Sequence, residues 1–65
     1  MTPAARALVV EDDRSWQQLL SEILTDAGMT VDVADSVEAA VTCLRETPHR
    51  LAIVDLSLVG ADHHD

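Results

Sequence analysis

Lysine is absent from this chain of 65 residues, and four arginines stand against twelve acidic residues. The resulting formal charge of −8 argues against binding to nucleic acid or to an anionic membrane, because both are bound through cationic side chains. We therefore expect no direct nucleic-acid binding and no membrane binding by this segment. Metal cations and basic protein surfaces are the compatible partners.

Cysteine, glycine and aromatic residues are also scarce. The single cysteine, Cys43, cannot form an internal disulfide, and we interpret it as an inert, half-buried thiol. Two glycines, Gly28 and Gly60, are too few for a Gly-rich phosphate loop, which excludes a dinucleotide fingerprint and a Walker loop. Trp16 is the only aromatic residue, so the core must be aliphatic.

Long apolar runs are missing as well. The longest is far below the roughly 18 residues of a membrane span, and the N-terminus lacks the apolar region of a signal peptide. We predict a cytoplasmic protein, and the lone thiol agrees with that compartment. The length allows one small domain at most, which is marginally stable by itself.

The hydrophobic pattern predicts alternating strands and helices. Unbroken apolar runs are typical of buried strands, alternation is typical of an edge strand, and a spacing of three and four residues is typical of an amphipathic helix. Asp13 or Ser15 could cap the first helix, and Gly28 suits its C-terminal end. The predicted order is strand 7–10, helix to 27, strand 30–34, helix from the Ser36 cap to 47, strand 51–54 and a loop at 56–60.

This β-α-β-α-β order predicts an α/β fold with a parallel sheet. With strand 1 placed between strands 2 and 3, the fold is one half of a doubly wound sheet with strand order 2-1-3. Each outer strand of that sheet would be open to solvent on one side. The acids Glu11 and Asp12 follow the first strand, and Asp55 follows the third. Ligands in such sheets bind beyond the carboxyl ends of the strands at the switch point, where these three carboxylates would meet. Their mutual repulsion is relieved by a hard cation, so we predict a Mg²⁺ site and chemistry on phosphate.

The residues that carry this pattern resemble the first half of a response-regulator receiver domain of two-component signalling. The likeness rests on Val9-Val10-Glu11-Asp12-Asp13, the helix ending at Gly28, Ala34-Asp35-Ser36, and Leu51 to Leu56 with Asp55 placed 43 positions after Asp12. The fold that the resemblance implies is flavodoxin-like. It covers about residues 6 to 60, so we expect 1–65 to be a partial receiver domain without the later strands.

The resemblance also implies a role for each site residue. Asp55 matches the phosphoacceptor, which takes a phosphoryl group from a histidine kinase or a phosphotransfer protein. Asp12 matches a direct Mg²⁺ ligand, Glu11 holds the metal through water, and Ser57 offers its backbone carbonyl. This is a signalling domain rather than an enzyme with turnover. The Ser/Thr after strand 4 and the Lys after strand 5 are missing, so phosphorylation should be slow.

Alternatives remain open at this point. A truncated receiver with an apolar third strand at its edge should self-associate as a homodimer, through that strand or a sheet face, and could act only as a dimerisation or docking module. A metal-dependent phosphatase or nuclease is disfavoured, because no His or Lys stands near the strand ends as a general base. His63 and His64 fit a solvated tail, with a second metal site as the alternative.

Overall fold

A computed structural model describes residues 4–60 of the chain. The hypotheses about His63 and His64 concern positions outside this range. Its elements are β1 (Arg6–Val10), α1 (Arg14–Asp26), β2 (Thr30–Ala34), α2 (Val37–Glu46), β3 (Leu51–Val54) and α3 (Leu56–Gly60).

The three strands form one parallel sheet in the order β2-β1-β3. In its register Val9 lies opposite Val33 of β2 on one side and opposite Ile53 of β3 on the other. The predicted half of a doubly wound sheet, with strand order 2-1-3, is therefore confirmed. Because β1 is flanked by a strand on each side, it forms the centre of the fold.

The helices cover opposite faces of the sheet, and each face has a small aliphatic core. On the α1 face, Leu24 packs with Ala7 and Val9. On the α2 face, Leu8 and its neighbours on the sheet pack with Ala40. Ala7, Leu8 and Val9 in β1 are fully buried, whereas exposed apolar side chains remain on α1, β2, α2 and β3.

Local hydrogen bonds explain where the two long helices begin and end. Asp13 caps α1 by accepting the Trp16 backbone N–H at 3.2 Å, which decides between the two cap candidates. Ser36 caps α2 in the same way, as predicted. Gly28 has a positive φ of 90°, a conformation that favours glycine, so its predicted place at the end of α1 is also confirmed.

The prediction of a loop at 56–60 is wrong, because the segment forms the short helix α3. Asp55 starts this turn: its carboxylate accepts the Ser57 backbone N–H at 2.9 Å, and its carbonyl accepts the Leu58 N–H at 3.0 Å. Leu58 also packs against the core on the α2 face. These local bonds and one apolar contact offset the weak helical tendency of so short a segment.

The apolar stripes of the helices are only partly covered. Trp16 is 55% exposed, so it lies at the rim rather than in the core. No helix among residues 4–60 is long and apolar enough to cross a membrane. The large apolar side chains left exposed are Trp16, Leu19, Ile23, Val33, Val37, Val41, Leu44, Leu51, Val54 and Leu56.

Candidate metal centre

Sheet hydrogen bonding continues one residue past the strands and fixes the acids at one edge. The Glu11 backbone N–H donates to the Ala34 carbonyl at 2.9 Å, and the Asp55 N–H donates to the Val10 carbonyl at 2.9 Å. Glu11 and Asp55 are thus anchored on neighbouring strands at the carboxyl ends of both. This is the switch point, because α1 and α2 leave their strands toward opposite faces.

Three carboxylates meet at this edge. One oxygen from each of Glu11, Asp12 and Asp55 lies within 4.8 Å of the other two. Glu11 is 9% exposed and Asp55 is half-buried, whereas Asp12 lies open to solvent. Three hard oxygen donors at this spacing, with an open side where water can bind, suit a small hard cation such as Mg²⁺. Ligation of a metal by these residues stays a prediction.

Glu11 is held by two kinds of opposing interaction. Its Oε1 accepts the Asp13 backbone N–H at 3.1 Å, which lowers the pKa of the carboxyl. Desolvation, a hydrogen bond to Asp55 and the charges of Asp55 and Asp12 outweigh this bond, so the pKa of Glu11 lies above its ordinary value. The Gln17 side chain donates to the Glu11 carbonyl and fixes the backbone at this position.

Asp55 is stabilised as a carboxylate. The backbone N–H of Ser57 donates to its Oδ1 at 2.9 Å and is the main reason that the pKa of Asp55 lies below its ordinary value. Hydrogen bonds with the Ser57 side chain and with Glu11 also lower this pKa, while desolvation raises it. Asp55 therefore loses its proton at a lower pH than Glu11 does. An ionised carboxylate can act as a metal ligand and as a nucleophile.

The structure places Ser57 in α3, directly beside Asp55. Its backbone N–H donates to Asp55 Oδ1, and the residue is exposed. Ligation of a metal by the backbone carbonyl of Ser57 stays a prediction.

A second polar cluster lies at the opposite, amino end of the sheet. Arg6 donates to both oxygens of Asp32, at 3.0 and 3.1 Å, and His49 Nε2 lies 2.8 Å from Asp32 Oδ2. The His49 side chain is only 1% exposed. The hydrogen bond from His49 and the interactions with Arg6 lower the pKa of Asp32 against the effect of desolvation.

Sequence reasoning missed this Arg6–Asp32–His49 cluster. The three residues are far apart in the chain and have no motif spacing. A weak signal existed: Asp32 interrupts an apolar strand, and a charged residue inside a strand usually requires a partner. The partner could not be identified without the register that places Asp32 beside Leu8 and near Arg6.

The comparisons with known proteins agree with this geometry. A parallel β2-β1-β3 sheet with acids at its switch point is half of a doubly wound α/β architecture. The family model for the response regulator receiver domain matches residues 7–63. The chain belongs to this receiver-domain family.

One curated relative is the response regulator protein FleR of Pseudomonas aeruginosa. It is 39% identical over 61 residues, which make up 94% of this chain but 13% of that protein. The chain thus spans about an eighth of the length of this relative. No solved structure matches the chain at a significant level.

Proposed function

We propose that this chain is a phosphoacceptor module of two-component signalling that binds Mg²⁺ at Glu11, Asp12 and Asp55 and accepts a phosphoryl group on Asp55. The observation that carries the proposal is the convergence of three carboxylate oxygens within 4.8 Å at the switch point. Membership of the receiver-domain family supports the same reading.

Asp55 is the proposed nucleophile. A carboxylate oxygen of Asp55 attacks the phosphorus of the donor, a new O–P bond forms, and the donor group leaves with the electron pair of the broken bond. The Ser57 backbone N–H donates to Oδ1 and holds the carboxylate in place. The lowered pKa supports this role, because only the ionised carboxylate carries the attacking lone pair.

Glu11 and Asp12 are proposed to hold the cation, Asp12 directly and Glu11 through water, with the Ser57 carbonyl as a further donor. Bound Mg²⁺ would neutralise charge on the phosphoryl oxygens during transfer. Without a cation, the charges of the nearly buried Glu11 and of Asp55 repel each other. A bound cation would relieve this repulsion.

The donor in the cell is proposed to be a histidine kinase or a phosphotransfer protein in the cytoplasm. This inference rests on the family and on the relative named as a response regulator. A net charge of −8 would favour a donor with a basic docking surface and disfavour nucleic acid.

Phosphorylation from a small donor tests the central claim. The chain is incubated with Mg²⁺ and acetyl phosphate, and intact mass is measured. We expect a gain of one phosphoryl group that depends on Mg²⁺ and disappears in Asp55→Asn. The control Asp35→Asn removes an exposed carboxylate near the same edge and should keep the gain. A gain that persists in Asp55→Asn, or none in the parent chain, contradicts the proposal.

A second candidate function is favoured by the exposed apolar surface. Leu51 and Val54 of β3 are 38% and 41% exposed, and α1 and α2 each keep an uncovered apolar stripe. We infer that the chain self-associates through β3 or a sheet face and could serve as a dimerisation module even without phosphorylation. Sedimentation should show a dimer at micromolar concentration, and a folded monomer at high micromolar concentration contradicts it.

A further inference from the structure

Asp12 differs from the other two acids of the metal centre in how it is held. Glu11 and Asp55 each donate a backbone N–H to a neighbouring strand, at 2.9 Å in both cases. Asp12 lies beyond the strand pairing, is exposed, and within residues 4–60 its side chain accepts no hydrogen bond. It nevertheless brings an oxygen within 4.8 Å of oxygens of both other acids. A contact other than sheet pairing must therefore orient Asp12.

The two peptide groups that flank Asp12 are both hydrogen bonded. The carbonyl of the peptide between Glu11 and Asp12 accepts the side-chain amide of Gln17. The N–H of the next peptide, that of Asp13, donates to Glu11 Oε1 at 3.1 Å. Because a residue has only two soft backbone dihedrals, fixing the peptide planes on either side of Asp12 also fixes the direction of its Cα–Cβ bond. Two hydrogen bonds thus set the direction of this carboxylate.

Gln17 supplies the one of these two bonds that comes from outside the loop. It lies at the end of the first turn of α1, where its backbone N–H donates to the Asp13 carbonyl at 2.9 Å. Its half-buried side chain turns back to the Glu11 carbonyl. A single helical residue therefore ties both ends of the short loop that contains Asp12 to the helix.

We propose that Gln17 is a positioning residue of the metal centre, which holds Asp12 in the orientation that a divalent cation requires. The inference rests on the proposed function, because it takes Asp12 as a ligand of the cation. Three carboxylates that repel one another tend to move apart when no ion is bound, and the exposed Asp12 has the most freedom to do so. Holding it in place beforehand lowers the cost of binding, as partners behind metal ligands generally do.

The variant Gln17→Met tests the proposal. Methionine keeps an unbranched side chain of similar length and a similar helix propensity, but it has no N–H to donate. We expect the Mg²⁺ dissociation constant measured by calorimetry to rise about tenfold, the low end for loss of a partner behind a metal ligand. Gln17→Leu also lacks a donor and favours the helix, so it should reproduce the result.

The matched control is Gln18→Met, the same change one residue further along α1. Gln18 is exposed, and its side-chain amide donates to Glu22 at 3.3 Å rather than to the acidic loop. This variant also loses one side-chain hydrogen bond of the helix, so it matches Gln17→Met in chemistry. It should bind Mg²⁺ like the parent chain.

The rate of phosphorylation separates positioning from a general loss of structure. The parent chain and Gln17→Met are compared with excess acetyl phosphate over a range of Mg²⁺ concentrations. The Mg²⁺ concentration that gives half the maximal rate should rise about tenfold, while the maximal rate at saturating Mg²⁺ stays close to that of the parent chain. A lowered maximal rate with an unchanged Mg²⁺ requirement overturns the role assigned to Gln17.

Hydrogen exchange tests the hold on the loop without any metal. The Asp13 amide is bonded to Glu11 Oε1, so a looser loop should expose this amide to solvent more often. We expect its exchange in the metal-free chain to be several times faster in Gln17→Met than in Gln18→Met. The amides of β1 should exchange alike in both variants, which verifies that the fold is intact.

Equal Mg²⁺ affinity in the parent chain and in both Gln17 variants overturns the inference and leaves the proposed function standing. Equal exchange of the Asp13 amide in Gln17→Met and Gln18→Met does the same. If the parent chain itself binds no Mg²⁺, the proposed function fails, and the role of Gln17 fails with it.

Discussion

The fold and the proposed cation favour opposite protonation states of Glu11. The main chain holds it at the end of a buried strand, almost out of solvent, beside two other acids. Its raised pKa measures the cost of that placement, because the folded state prefers the protonated carboxyl. A bound cation reverses the preference. This conflict supports the proposal that these carboxylates hold a cation.

The affinity for Mg²⁺ should therefore decrease as the pH is lowered through the raised pKa of Glu11. Protonation removes its charge from the site, so we expect weaker Mg²⁺ binding by calorimetry at about pH 5 than at about pH 7.5. Glu11→Gln should bind weakly at both values and show a flatter pH dependence. The same substitution should raise the stability of the metal-free chain at neutral pH. Glu22→Gln, an exposed change on α1, is the control, and an unchanged pH dependence in Glu11→Gln contradicts the argument.

Asp32 should affect the dependence of stability on pH in the opposite direction. The hydrogen bond from His49 and the pairing with Arg6 lower the pKa of Asp32, so its contribution to stability is present above the unfolded pKa of about 3.9 and is lost as the pH falls through the folded value. Asp32→Asn should cost about 1 kcal/mol at pH 7, less than the ~1.5 to 3 kcal/mol of a hydrogen bond to a charged group, because its side chain is a third exposed.

Urea unfolding at pH 7 and at about pH 3 measures this effect. The difference between Asp32→Asn and the parent chain should shrink at the lower pH. Asp26→Asn, an exposed aspartate at the end of α1, should show little difference at either pH. A penalty for Asp32→Asn that does not change with pH would mean that the cluster acts through shape rather than charge.

At the scale of elements, α1 depends on its first turn. Asp13 accepts the Trp16 N–H, and Ser15, the other candidate in the sequence, is exposed within the helix. Asp13→Ala should destabilise the fold by about 1 kcal/mol, the usual value for losing an N-cap. Ser15→Ala should be neutral or slightly stabilising because alanine favours the helix interior. Thermal unfolding of both variants checks this, and equal effects would contradict the assignment of the cap.

Sequence periodicity was enough to predict β1, α1, β2, α2 and β3, because each is marked by an apolar pattern and a cap or breaker. It failed at 56–60, where the helix depends on hydrogen bonds to Asp55 and on the packing of Leu58, neither of which has a periodic signature. The meeting of Glu11, Asp12 and Asp55 followed from strand order alone. The partners of Asp32 did not, since they required the register between strands and the course of the loop that carries His49.

At the scale of the whole molecule, three of the twelve acidic residues share one small site. A site of three carboxylates adds to a net charge of −8, so a divalent cation should stabilise the folded chain by binding it in preference to the unfolded one. Saturating Mg²⁺ at a hundred times its dissociation constant corresponds to about 2.7 kcal/mol.

Thermal unfolding with Mg²⁺ and with NaCl at matched ionic strength separates binding from screening. We expect a higher melting temperature with Mg²⁺, reversed by EDTA, and no such gain in the double variant Glu11→Gln, Asp12→Asn. An equal shift with NaCl would show that general screening, not the three-carboxylate site, is responsible.

The complete enclosure of β1, with its first apolar residues at zero exposure, has a consequence for how the chain opens. Each of its amide protons is bonded toward one flanking strand and reaches solvent only when that strand separates, whereas among the described residues no strand covers the outer edges of β2 and β3. Deuterium uptake should therefore spread inward from both borders and reach the middle strand last. In a dimer that pairs through β3, the amides on that edge would be protected, and deuterium uptake would begin from the β2 edge alone.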